Sequence, residues 1–288
     1  YFRNYENEIV REHSLISVTD KKFEGEGTEK YPYLIYDGYD MNTIHEFVVK
    51  GQWFTNKHFK VADGVTVIDL TLWALNYQPI GDVENYFDGI LDGKGANFIL
   101  DIDYESQDYL GIFHTLGSSA KIKDLFVSGQ VIGRSYIGGV AGRCFGEIDN
   151  VVNYAEIKSF AGNNVGGITG FNEGTIKNSS NKGNINMEGT YAGAIAGENL
   201  GTIIGCYNKA AVNGVTNVGG IAGRNFASIK DSYNAGEITS ETQSGGITGE
   251  NCGLVSGCFN MGVIRATVGI AGGISGAQRY KGSGANPD

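Results

Sequence analysis

Six segments of this chain carry nearly the same six residues at nearly the same interval, and that recurrence narrows what the chain can fold into. They are Ile137-Gly-Gly-Val-Ala-Gly142, Val165-Gly-Gly-Ile-Thr-Gly170, Ala192-Gly-Ala-Ile-Ala-Gly197, Val218-Gly-Gly-Ile-Ala-Gly223, Ser244-Gly-Gly-Ile-Thr-Gly249 and Ala271-Gly-Gly-Ile-Ser-Gly276. Their first glycines fall at 138, 166, 193, 219, 245 and 272, giving steps of 28, 27, 26, 26 and 27 residues. A degenerate seventh copy, Leu110-Gly-Ile-Phe-His-Thr115, stands 27 residues before Gly138. Such a period marks a solenoid, in which each unit buries its apolar face only by stacking on its neighbours.

Two further beats sit inside each period. One is Gly-x-Ile: Gly146-Glu-Ile148, Gly174-Thr-Ile176 and Gly201-Thr-Ile203, with Ala227-Ser-Ile229 and Gly253-Leu-Val255 as variants. The other starts at Asn153, Asn181, Asn208, Asn234 and Asn260 and ends four residues later on Ile157, Ile185, Val212, Ile238 and Ile264. With 45 glycines and 3 prolines in 288 residues, helices are a poor home for these runs, because each interior glycine costs about 1 kcal/mol relative to alanine. The pattern predicts an all-β fold, a parallel β-helix with three short strands per coil and seven coils. Stacking puts Val140, Ile168, Ile195, Ile221, Ile247 and Ile274 in one internal ladder. It puts Asn153, Asn181, Asn208, Asn234 and Asn260 in a second, at a corner, with amides bonding along the axis. In Val-Gly-Gly-Ile the apolar residues are three apart, which strict alternation cannot place on one face, so a bend is expected at the paired glycines.

Residues 1–86 lack the repeat and are read as an N-terminal α/β cap. Asp40-Met-Asn-Thr-Ile-His-Glu-Phe-Val-Val-Lys50 has helical spacing, with Asp40 as the expected N-cap and Gly51 as its stop. The β-helix is assigned to 87–280, with its first rung or two near Phe98–Ile102, and 281–288 to a disordered tail or linker. The N-terminal tyrosine and the missing signal segment suggest a processed piece of a longer polypeptide, expected as a monomer.

The segments VGGIAGRN, VGGITGFNEGTIKNSSNKGNI and YAGAIAGENLGTIIGCYNKAAV resemble the GLUG motif, which recurs in bacterial surface proteins and upstream of the catalytic region of immunoglobulin A metalloproteases. The resemblance covers roughly residues 31–280. It implies a right-handed β-helix in a secreted or wall-attached bacterial protein, and the motif brings no catalytic residues with it. Ala194, Ala227 and Cys144 depart from the pattern at single positions, the last in a column otherwise held by Asn172, Asn199, Asn225 and Asn251.

Chemistry is sparse in the remaining residues. The formal charge of −10 is concentrated in residues 1–110, where 9 Lys/Arg face 20 Asp/Glu, so a nucleic-acid partner is not expected. No apolar run is long enough to span a membrane. Histidines 13, 45, 58 and 114 form no HExxH motif, and no cofactor is expected. Asp101 and Asp103 share one face of an extended run and are weak candidates for a calcium ion or an acid/base pair. The competing reading makes them the solvent side of Ile-Leu-Asp-Ile-Asp-Tyr, with Leu100 and Ile102 inward. Cys206 and Cys258 are two coils apart, too far for a disulfide. Tyr207, Tyr233 and Phe259 would offer sugars a stacking strip if outward; they are read as packing inward. Ice binding lacks its threonine rows. The functional expectation is a non-catalytic extracellular module that binds a host glycan or protein, or acts as a rigid spacer. The alternative is a carbohydrate-active β-helix enzyme.

Overall fold

A computed structural model describes residues 23–72 and 77–279, together with a short antiparallel pair, Phe2–Arg3 with Ile9–Val10. The expected tail at 281–288 lies outside the described residues. From Tyr33 onward the chain winds into a parallel β-solenoid of about nine turns. One column of the interior shows the winding directly. Tyr33 pairs with Phe59, which pairs with Leu91, and the register runs on through Ile122, Ile148, Ile176, Ile203, Ile229 and Val255. The side chains of this column are fully buried from Phe59 to Ile229. Burial of each contributes about 2 kcal/mol, and because every contact is with the coil above or below, the core is continuous.

The seven repeat copies correspond to a seven-stranded parallel sheet running from Phe113–Leu116 to Ser275–Gln278. Two further turns lie beneath it, so the stack starts at Tyr33–Ile35 and His58–Val61 rather than near Phe98. These lower coils escaped the repeat because they are built differently. The column occupied by Asn153 and its successors holds Ile68, Phe98 and Val127 below, and the column of Asn172 holds Phe87, Leu116 and Cys144. Phe59, Phe87 and Phe113 also pack as tilted rings in the interior, with centroids 5.8 and 5.1 Å apart. In the two asparagine columns the lower rod is filled by apolar side chains and the upper rod by amides, beside apolar columns that run through both.

Each amide satisfies its neighbours in two directions. Asn208 Nδ2 donates to Asn234 Oδ1 at 2.8 Å and to its own coil's Ala210 carbonyl at 2.8 Å. Its Oδ1 accepts from Asn181 Nδ2 at 3.1 Å and from the Ala210 N–H at 3.1 Å. Asn153 and Asn260 terminate this ladder. A second ladder runs from Asn172 through Asn199, Asn225 and Asn251 to Gln278, with links of 2.7 to 3.0 Å. A wholly buried amide with all its capacity used specifies register instead of costing stability.

The apolar ladder is continuous as well: Val140 donates its N–H to Ile168 O at 3.0 Å, Ile168 to Ile195 O at 3.1 Å, and the chain continues through Ile221 and Ile247 to Ile274. All are fully buried except Ile274, which is 40% exposed in the last coil. The strand breaks at Gly220 and Ile221, between Thr216–Gly219 and Ala222–Asn225, so the bend falls at the paired glycines. The ladder asparagines do not supply the left-handed corners. Asn153 and Asn181 lie within strands, whereas positive φ angles recur at Asp124, Asn150, Asn178 and Asp231, with Gly205 and Gly257 at the same corner, and at Tyr109, Tyr136, Asn164, Tyr191 and Asn217 at another.

Helix Gly38–Val48 (α1) lies between the first two rungs and packs Met41, Ile44 and Val48 against the lowest coils. Its N-cap is Asp37, not Asp40. The Asp37 carboxylate accepts from the Tyr39 and Asp40 N–H groups at 3.0 and 3.1 Å, while Asp40 reaches back to the Tyr36 N–H at 2.8 Å. The two aspartates thus cap the helix reciprocally, and the one nearer the apolar run is the inner partner.

Candidate binding cleft

The acidic pair read from the sequence lies on an exposed strand face. Asp101 and Asp103 both point to solvent from Ile90–Asp103, with Leu100 and Ile102 buried behind them. Asp101 accepts from Gln130 Nε2 at 2.7 Å in the next coil, and Asp108 is held by Arg134 at 2.6 Å. Among the described residues no group of three or more His, Cys, Asp or Glu could hold a metal ion. Burial pushes the Cys144 and Cys206 thiols up to about 12, so both stay protonated fillers of the core.

Tyr207, Tyr233 and Phe259 point outward, contrary to the sequence expectation, because each precedes an inward asparagine and strand side chains alternate. Their rings stack on one another at 5.1 Å and within 7° of parallel. The faces of Tyr233 are therefore covered by Tyr207 and Phe259, and the column packs along the rod instead of offering three free platforms.

Among the described residues, two clefts bear on binding. The larger, about 450 Å³, lies beside a bulge between Asp92 and Ala96 in the strand Ile90–Asp103. Its acids are already engaged, Asp92 by Lys123 at 2.8 Å and Asp124 by Asn150 at 2.7 Å. The smaller, about 330 Å³, lies where α1 meets the loops at 78–82 and 107–110. Polar groups converge there from four separate segments: His45, Gln78 with Asp82, Gln107 with Asp108, and His114.

The backbone holds this second cleft rigidly. The His114 N–H donates to Ile80 O at 3.0 Å, and the buried Tyr77 hydroxyl donates to Ile112 O at 2.8 Å. The Tyr109 ring is sandwiched between His114 at 4.8 Å and Tyr136 at 4.6 Å. Burial pushes the His114 imidazole down to about 4, so it is neutral near pH 7. Burial works against the Asp82 carboxylate, yet hydrogen bonds from the Glu84 and Asn85 N–H groups, both at 2.8 Å, and from the Asn85 amide outweigh it and keep the acid below the usual range. His45 Nδ1 lies 2.9 Å from the Pro79 carbonyl, which can only accept, so that nitrogen carries the proton. The sequence contains one signal for this site. The register sets His114 opposite Gly142, a position that is glycine again at 170, 197, 223 and 249.

No protein-family model matches the chain. A glycine-rich protein of Evansella cellulosilytica, named as a membrane protein, is 29% identical over 136 residues, which is 44% of this chain and 15% of that protein. Halomucin of Haloquadratum walsbyi is 30% identical over 154 residues, or 51% of this chain and 2% of its own length. The chain therefore matches only a small fraction of either relative. The crystal structure of a Bacteroides ovatus protein, named for an immunoglobulin A1 protease, superposes with a TM-score of 0.63 over 89% of this chain and 86% of that one, at 18% identity. That likeness shows the solenoid fold. Among the described residues no helix is long and apolar enough to cross a membrane.

Proposed function

We propose that this chain is a non-catalytic module of a bacterial cell-surface or secreted protein, a rigid rod that presents ligand-binding faces. The observation that carries this reading is the unbroken register of its coils. Backbone pairing from Tyr33 to Gln278 and two amide ladders hold each outward residue at a fixed height on a rod roughly 40 Å long. A scaffold of this kind suits projection and recognition. Its acids on the strand faces are paired with basic side chains, Glu147 and Asp149 with Lys177, and Glu198 and Glu250 with Arg224. The names of the long relatives, a membrane protein and a halomucin, support display at a cell surface.

The test is to incubate the protein with a panel of polysaccharides and follow both retention and polymer length. Retention of at least one glycan with no shortening of any chain is the expected result. Depolymerisation that disappears in Asp101→Asn or Asp103→Asn would establish a carbohydrate-active enzyme instead.

A further inference from the structure

We propose that the cleft between α1 and the 78–82 and 107–110 loops binds a neutral saccharide unit through its hydroxyl groups. This rests on the module reading above and specifies its ligand. At about 330 Å³ the cleft sits at the small end of the usual range for ligand pockets, about 300–1,000 Å³, so it suits one or two sugar rings rather than a long chain.

The polar inventory decides the ligand class. No lysine or arginine lines the cleft, and its two carboxylates are already engaged, Asp82 by the Asn85 amide and Asp108 by Arg134, so an anionic sugar would meet repulsion with no free counter-charge and an ammonium sugar would find no free carboxylate. Gln78 gives one amide hydrogen to Tyr104 Oη at 2.6 Å, which fixes the side chain and turns its carbonyl into an oriented acceptor. With Nδ1 protonated, the far nitrogen of His45 is an acceptor whenever that ring is neutral. The neutral His114 ring and the Gln107 amide supply mixed donor and acceptor capacity. A surplus of neutral acceptors beside two engaged carboxylates is what hydroxyl groups, each able to donate and accept, satisfy best. Val49, Pro79 and Leu110 add apolar wall for the C–H face of a sugar ring. The site is also outside the repeat's own needs. Later coils place glycine where His114 stands, so a histidine is not required to stack one coil on the next.

Histidine-ring NMR on the full chain gives a direct readout, because His45 and His114 line the cleft and His58 does not. The probes are N-acetylglucosamine, mannose and methyl galactoside as neutral sugars, with glucuronate and glucosamine as charged counterparts. At least one neutral sugar should shift the His45 and His114 signals and leave His58 unmoved. Both charged probes should bind about tenfold more weakly or less. Gln107→Phe, which fills the cleft, and Gln78→Ala, which removes an acceptor, should each weaken binding by about tenfold. Stronger shifts with either charged probe, wild-type binding in both variants, or unmoved histidines under all three neutral sugars would each overturn the proposal. Glycan retention with unmoved histidines would sink the cleft alone, whereas polymer shortening would sink the module reading.

Discussion

At the scale of single residues, the upper rod depends on amides buried away from water. Asn208 makes four hydrogen bonds in a fully buried position, so Asn208→Ala strands the Asn181 donor, the Asn234 acceptor and both polar groups of Ala210. The expected loss is about 3 kcal/mol, read as a lower denaturant midpoint. Asn213 also bonds along the axis, to Asn186 at 3.0 Å, but it faces outward, and Asn213→Ala should cost within about 0.5 kcal/mol. Chemically similar bonds thus separate by burial. His114 yields a pH prediction at the same scale. Its pKa falls from 6.5 to about 4 on folding, so the unfolded chain binds the proton more tightly. The stability contributed by the neutral ring is complete above about pH 6.5 and is lost as the pH falls toward 4. Thermal midpoints should therefore drop across that window in the wild type and drop less in His114→Phe. The inward asparagines were legible in the sequence because they recur. The outward direction of Tyr207 and Tyr233 follows from the same alternation once the neighbouring asparagine is fixed as inward.

At the scale of the elements, the glycines of the six-residue motif hold coils together by close approach. A Cβ on Gly223 would lie 2.5 Å from the Tyr191 carbonyl carbon of the coil below, and Tyr191 itself has a φ of 71°. Backbone cannot retreat as a side chain can, so Gly223→Ala should cost roughly 1–3 kcal/mol. At Gly273, in the last coil, a Cβ meets nothing within 4 Å, and Gly273→Ala should change stability by less than about 0.5 kcal/mol. Parallel denaturant titrations of the two variants check the contrast. The motif was legible for this reason: a contact that admits only glycine repeats wherever the coil repeats. The lowest coils were not legible. Large side chains such as Phe59, Phe87 and Phe98 fill their interior, many arrangements of apolar groups can do that, and so no fixed spacing survives. The cleft was hidden for a related reason, since it is assembled from a helix, two loops and one repeat position that are distant in sequence.

At the scale of the whole molecule, the two ends of the rod differ. Near the lower end α1 packs Met41, Ile44 and Val48 into the core. In the last described coil Phe259 is 49% and Ile270 59% exposed, and among the described residues the strands from Leu254–Ser256 to Ser275–Gln278 have a coil on only one side. In a stack whose stability is a sum over neighbours, a coil with one neighbour opens first. Native-state hydrogen exchange should therefore be slowest through the middle coils and fastest across 253–278. The same one-dimensional logic rests on one proposition, that residues one period apart touch in succession around a common axis. The most direct measurement is a nuclear Overhauser experiment on protein with labelled isoleucine methyl groups. Cross-peaks should link Ile168 to Ile195, Ile195 to Ile221 and Ile221 to Ile247, with none joining Ile168 to Ile247. Absence of that sequential chain, or contacts that skip coils, would contradict the fold and everything drawn from it.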